Sequence, residues 1–409
     1  MENPIKNKNI LLGVTGSIAA YKAVELASQL SKAGGNVDVI LTHSAEKLVT
    51  PLTFRSVTGK KVYTDADLWD TANHVTHINL AQPADIMVIA PATANTISKI
   101  AHGQADNLLT LTALATQCPL LVAPAMDAGM YSNPFTQANL GILKEHRVII
   151  IGPEEGHLAS GLSGKGRMVE AQKLFGWLRF FLSRQNPLAA KKVIVTAGGT
   201  QEVIDPVRVL SNRSSGKQGY ALAQAALDAG ADVSLITAPT CLIPPEGVKT
   251  ISIRTAEEMQ RAVLEEVKEA DAVIMAAAVA DFKPSANRKE KIKKEEKLDE
   301  ILLEATVDIL KELGKIKSEQ KKQLVLIGFA AESENLDQNA QEKLVQKNLD
   351  MIVANDISRE DAGFAVDTNA VTLLFRDGTK QELPLQNKEM IAQKIIDILI
   401  RFMQSYSKG

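Results

Sequence analysis

A β-branched run, Val193-Ile-Val-Thr-Ala197, ends directly in Gly198-Gly199-Thr200, and a second glycine-rich cluster, Asn212-Arg-Ser-Ser-Gly-Lys-Gln-Gly219, leads into a helix-like stretch, Tyr220–Ala229. A glycine turn at the carboxyl end of a strand leaves backbone N–H groups facing outward, where they suit an anion. The second cluster adds hydroxyls and the Lys217 cation, and Asp205-Pro206-Val207-Arg208 joins the two. Two such cradles suit a ligand with phosphate at one end and polar groups at the other. Strand, glycine turn and helix in this order restrict the fold to parallel α/β units.

The rest of the chain repeats the alternation. In the first half, strands are expected at Asn9–Gly13, Asn36–Thr42, Asp85–Ala90, Pro119–Ala123 and Arg147–Gly152. Helices are expected at Ile18–Ala33, Ala94–His102, Asn133–His146 and Val169–Arg184, with Gln185–Lys191 as a linker. In the second half, strands are expected at Val193–Ala197, Asp232–Thr237, Thr250–Arg254, Ala272–Ala278, Leu324–Gly328 and Met351–Ala354. Val371–Phe375 and Gln381–Pro384 flank Asp377-Gly378, a hairpin turn signal. The expected fold is α/β: two doubly wound, Rossmann-like domains with mainly parallel sheets, over residues 1–186 and 187–409.

Composition narrows the function. Of 409 residues 45% are hydrophobic and 23% charged, as in a globular protein, and the net charge of −2 gives no reason to expect nucleic acid or an anionic membrane as partner. Two cysteines, Cys118 and Cys241, allow neither a disulfide framework nor a four-cysteine zinc site. The N-terminal Met1–Ala23 imitates a secretory signal but reads better as strand, turn and helix. With no unbroken apolar run of about 18 residues, the expected location is the cytoplasm.

In the first half, Gly13-Val-Thr-Gly16-Ser17 follows a strand and precedes a helix, so its N–H groups and hydroxyls can hold a phosphate. It is not the GxGxxG fingerprint, and the next strand ends in Thr42-His43-Ser44 without a carboxylate for a ribose. A mononucleotide such as FMN fits better than NAD, which counts against a nicotinamide-linked oxidoreductase. Pro91-Ala-Thr93-Ala-Asn95-Thr96 is a second hydroxyl-rich helix start at a strand end, facing the same crevice. His74 and His77 have helical spacing but no third His or Cys ligand nearby, so a metal pair is not expected.

Gly16–Lys22, Pro91–Thr96, His77 in His-Ile-Asn-Leu80 and Pro124-Ala-Met-Asp127 resemble the flavoprotein family of cysteine decarboxylases, which includes phosphopantothenoylcysteine decarboxylase. The resemblance implies FMN held by Gly16, Ser17, Thr42, Pro91, Thr93, Asn95 and Thr96. It also implies a histidine, here His77, acting near the flavin on the thiol side of the substrate. Two positions depart from the pattern. Asp127 stands where the family has an Asn that holds the substrate carboxylate, and Ser160 stands where a flap Cys donates a proton. An anionic Asp127 would repel a carboxylate unless it is protonated or bonds an amide or backbone group. The first half is therefore expected to decarboxylate, with altered chemistry or lost activity as the alternatives.

Residues Gly198–Gly219 resemble the phosphopantothenate–cysteine ligase family. Joining an acid to an amine in water needs an activated acyl group, which a nucleoside triphosphate supplies. Asn212, Ser214, Ser215, Gly216 and Lys217 can hold phosphate and acyl group, and Asp281 the base or ribose. Phe329 ends a strand where a base can lie, and Lys343 and Lys347 share one helix face. Lys291 lies in the charge run Arg288–Lys297, a solvated face or a mobile flap over the triphosphate. By resemblance, Ala277 and Asp308 also contact the nucleotide, the nucleotide is CTP with Mg²⁺, and the substrates are 4′-phosphopantothenate and cysteine. The metal ligands stay unknown. Both halves in this order resemble the bifunctional bacterial enzymes of coenzyme A biosynthesis, whose halves assemble as trimers and dimers and imply a homo-oligomer, a dodecamer when closed. The alternative is a ligase whose flavin-binding half is an oligomerisation scaffold.

Overall fold

The computed structural model describes residues 3–69, 75–286, 289–292, 300–319, 323–332, 336–356 and 367–406. His74 and, from the charge run, Arg288 and residues 293–297 lie outside the described residues.

Six strands make the first sheet: β1 (Asn9–Val14), β2 (Asn36–Leu41), β3 (Val62–Tyr63), β4 (Ile86–Ala92), β5 (Leu120–Pro124) and β6 (Ile149–Ile150). All pair in parallel, in the order β3-β2-β1-β4-β5-β6. Alternate residues of one strand go to opposite cores. Ile10 and Leu12 pack with Leu26, Phe54 and Leu174 of helices Ala20–Lys32, Pro51–Thr58 and Ala171–Ser183. Leu11, Met87 and Ile89 pack with Ile97, Leu109 and Leu140 of helices Ala94–Ala101, Leu108–Ala115 and Pro134–Glu145. Burial on both faces is why these strands read as nearly continuous apolar runs. An antiparallel hairpin, β7 (Glu154–His157) and β8 (Ser163–Arg167), follows β6.

The second unit contains β9 (Lys192–Ala197), a small antiparallel pair β10 (Gln201–Val203) and β11 (Val209–Ser211), β12 (Asp232–Thr237), β13 (Lys249–Ser252) and β14 (Ala272–Met275). A second small pair, β15 (Phe282–Pro284) and β16 (Leu303–Ala305), precedes β17 (Val325–Glu332), β18 (Met351–Asp356), β19 (Thr368–Phe375) and β20 (Lys380–Asn387). The main sheet has the order β13-β12-β9-β14-β17-β18-β19-β20, parallel up to β18 and antiparallel for β19 and β20. The expected hairpin turn is present, with Gly378 at φ +82°. That left-handed geometry favours glycine.

The chain divides into compact units at Leu182/Ser183, a few residues before the expected boundary. The expected linker is tied into the second unit: Leu188 N–H donates to Ala229 O at 2.7 Å and Asn186 Nδ2 to Asp228 O at 2.6 Å, and Arg184, just before it, pairs with Asp232 at 2.7 Å.

Candidate functional sites

In the first sheet the strand order reverses between β1 and β4, and the carboxyl ends of strands at such a reversal are where open α/β sheets bind ligands. Buried Thr15 ties the two edges together. Its Oγ1 donates to Pro91 O at 2.7 Å and accepts from Thr93 N–H at 3.0 Å. Thr93 caps helix Ala94–Ala101, its hydroxyl 3.2 Å from that of Thr96, so hydroxyls and open helical N–H groups share one rim. Gly16 lies so close to Ser44 that a Cβ would run into it, which keeps the turn bare. Thr42 caps the short helix His43–Glu46 next to it. Gly16, Ser17, Thr42, Pro91, Thr93, Asn95 and Thr96 thus belong to neighbouring strand ends. Thr15 was not singled out, although it sits inside the quoted glycine turn; only its strand-bridging bonds distinguish it.

Asp127 follows β5 and caps helix Ala128–Ser132, accepting from Gly129 N–H at 2.9 Å. Ser160, in the turn of the β7–β8 hairpin, donates its hydroxyl to the other Asp127 oxygen at 2.7 Å. The two departures from the family pattern therefore bond each other. The Ser160 hydroxyl, then the Gly129 N–H, hold the Asp127 carboxyl below the usual carboxylate range, so it is ionised at neutral pH. The hairpin is held further by Met126 N–H to Gly166 O at 3.1 Å and by Lys165 Nζ, 5.7 Å from the Tyr131 ring centre. His77 stands elsewhere, half-buried in helix Thr76–Ala81.

In the second sheet the order reverses between β9 and β14, and a crevice of about 570 Å³ opens there. Asn212, Ser214, Ser215, Gly216, Lys217, Ala277, Asp281, Asp308, Phe329, Lys343 and Lys347 all line it. Gly216, at φ +76°, starts helix Lys217–Asp228 without a side-chain cap, leaving its first N–H groups open to an anion. Asn212 Nδ2 donates to Val279 O at 3.0 Å, and Lys347 pairs with Asp308 at 2.9 Å. Asn355, Asn369 and Lys388 line the same space and were missed, since no glycine turn or charge run marks them; Gln218 lines it too and was not singled out, although it sits inside the glycine-rich cluster.

Lys291 does not line this crevice, but its neighbour is anchored. Ile292 N–H donates to Asp205 Oδ2 at 3.2 Å, and Arg208 Nη1 bonds that oxygen at 2.6 Å. Val207 and Arg208 N–H groups donate to Oδ1 at 2.8 and 2.7 Å. Burial opposes the Asp205 charge, yet these three backbone donors and the guanidinium overcome it and hold the carboxyl at about 2.

Residues 1–181 match the Flavoprotein family and residues 188–403 the DNA/pantothenate metabolism flavoprotein C-terminal domain. The coenzyme A biosynthesis bifunctional protein CoaBC of Bacillus subtilis is 45% identical over 395 residues, covering 96% of each chain. The protein of the same name from Vibrio cholerae is 40% identical, covering 97% of this chain and 98% of its own. A crystal structure of the C-terminal domain of a coenzyme A biosynthesis bifunctional protein CoaBC aligns with 54% of this chain and 99% of its own, at 41% identity and a TM-score of 0.46. The chain belongs to the family of coenzyme A biosynthesis bifunctional proteins, enzymes with a flavoprotein decarboxylase half followed by a ligase half.

Proposed function

We propose that residues 187–409 join cysteine to 4′-phosphopantothenate at the expense of CTP, and that residues 1–186 decarboxylate the resulting 4′-phosphopantothenoylcysteine to 4′-phosphopantetheine with FMN. One observation carries the ligase reading: a single crevice collects nucleotide-binding candidates spread from Asn212 to Lys347. The acid's carboxylate displaces pyrophosphate from CTP to give an acyl-cytidylate, and the cysteine amine then displaces CMP. The open helix start at Ser214–Lys217 holds phosphate, Asn212 orients the acyl group, and Asp281 takes the base or ribose. Ala277, Asp308, Phe329, Lys343 and Lys347 line the nucleotide. Lys291, set down beside the Asp205 anchor, meets the developing charge, and Mg²⁺ travels with CTP.

The strand ends of the first half suit FMN because their rim is hydroxyls and N–H groups and their Gly16 turn is bare. Gly16, Ser17, Thr42, Pro91, Thr93, Asn95 and Thr96 would hold the cofactor, which when bound supplies a two-electron acceptor. His77 serves the thiol side of the substrate. Asp127 and Ser160 act as one unit, with the hydroxyl as proton donor and the carboxylate as its partner. The family carboxylate contact cannot pass directly to Asp127 while it is ionised. We place the enzyme in the cytoplasm as a homo-oligomer, up to a dodecamer; no helix among the described residues is long and apolar enough to cross a membrane.

The test is pyrophosphate release that requires both CTP and 4′-phosphopantothenate, together with a yellow protein whose colour bleaches and returns with 4′-phosphopantothenoylcysteine. Asn212→Asp and Lys291→Gln should each slow ligation by ~10²–10³. A colourless protein that takes up no FMN would remove the flavin reading, and full ligation by both variants would remove these residues from the chemistry.

A further inference from the structure

The ligase crevice extends beyond the residues expected to bind the nucleotide. Its far wall is formed by Asn355 at the end of β18, Asn369 in β19 and Lys388 at the start of helix Lys388–Tyr406. Gln218, in the first turn of helix Lys217–Asp228, faces the same space.

Asn355 is only 8% exposed, and its Oδ1 has no hydrogen-bond partner among the described residues. Gln218 Oε1 is also buried without a partner among them. Gln218 Nε2 donates to Lys388 O at 3.3 Å, which fixes the remaining end of that amide as an acceptor. Buried acceptors left open in a crevice call for a ligand that brings donors. Cations stand beside them. Lys388 is 6% exposed, and Lys217 Nζ is 2.5 Å from Asp367 Oδ1. Burial, then the Lys217 charge, lowers the Lys388 ammonium below its usual range, with Asp367 opposing.

We propose that this end of the crevice is the subsite for the α-amino acid: its amino group donates to Asn355 and Gln218, and its carboxylate lies against Lys388 and Lys217. The inference rests on the ligase reading above. A phosphate group offers no donor to the open acceptors, whereas an amino acid matches both halves of the wall. A neutral primary amine has two N–H bonds and one lone pair. With both N–H groups donated, the lone pair remains for the acyl carbon. The C–N bond forms, the C–O bond to the nucleotide breaks, CMP leaves, and the amine's proton passes to solvent.

The test uses the full chain with CTP and 4′-phosphopantothenate, and compares cysteine with cysteamine, an amine that lacks the carboxylate. Lys388→Gln should raise the KM for cysteine about ten- to a hundredfold, the loss of one charged hydrogen bond. The KM for cysteamine, for the acid and for CTP should stay unchanged, so the preference for cysteine collapses. Gln218→Leu should raise the KM for both amines, and it supplies the readout should Lys388→Gln not fold. A raised KM for the acid or CTP with that for cysteine unchanged would assign the wall to those substrates and overturn the proposal. Unchanged cysteine KM in a folded variant would overturn it as well. Wild-type protein that releases no pyrophosphate from CTP and the acid would instead sink the ligase reading, and the subsite with it, before any variant is made.

Discussion

Asp205 keeps a charge where its side chain is fully covered, because three backbone N–H groups and the Arg208 guanidinium converge on it. One of those N–H groups belongs to Ile292, next to Lys291, so a carboxylate in the Asp-Pro-Val-Arg segment holds the lysine-rich run at Ile292. Its carboxyl is depressed from 3.8 to about 2, so the stability it contributes is complete above pH 4 and is lost as pH falls through about 2. Asp205→Asn should abolish that part of the acid transition, speed hydrogen exchange at the Ile292 amide and slow ligation, with flavin chemistry unaffected. Unaltered exchange at Ile292 would show that the anchor does not hold the segment. Asp127 and Ser160 make a second test of a pair. Because they bond each other, Asp127→Asn and Ser160→Ala should each slow flavin reoxidation, and the double variant should be no slower than the worse single one. Multiplying effects in stopped-flow traces would mean that the two act separately.

The β7–β8 hairpin is the element that carries Ser160 to Asp127, and it rests on a close backbone approach. A Cβ on Gly166 would run into the Met126 carbonyl, a backbone atom that cannot yield as a side chain can. Gly166→Ala should therefore lift the hairpin, costing roughly 1–3 kcal/mol of overpacking, and slow decarboxylation while ligation continues. Hydrogen exchange over residues 154–167 would show the lifting; wild-type protection there would refute it. This hairpin also marks how far the sequence could be read. β1, β4, β9 and β14 were legible because strands buried on both faces show as apolar runs. The pairs β7–β8, β10–β11 and β15–β16 were not, since strands of three to five residues are too short to show a period. The sites divide the same way. Gly16–Ser17 and Asn212–Lys217 are contiguous and visible, whereas the contact from Ser160 to Asp127 spans 33 positions and the grouping of Asn355 with Lys388 exists only once the sheet is built.

At the scale of the whole chain, each compact unit has its own sheet and hydrophobic core, and in each the strand order reverses once, at β1/β4 and at β9/β14. A ligand that binds only folded protein stabilises the body that contains its site, by about 2.7 kcal/mol at a hundred times its dissociation constant. If the flavin site lies wholly at the ends of β1, β2 and β4, FMN should raise the unfolding temperature of one transition only. If CTP with Mg²⁺ binds between the ends of β9, β14 and β17, it should raise the other. The Gly166→Ala variant should lower the FMN-sensitive transition alone, and Asp205→Asn the CTP-sensitive one. Calorimetry on the intact chain, with each ligand in turn, separates the cases: two transitions shifting independently place each site within one unit. A single transition raised by both ligands would mean that the halves unfold as one cooperative body, and that a substitution in either half weakens both activities through stability alone.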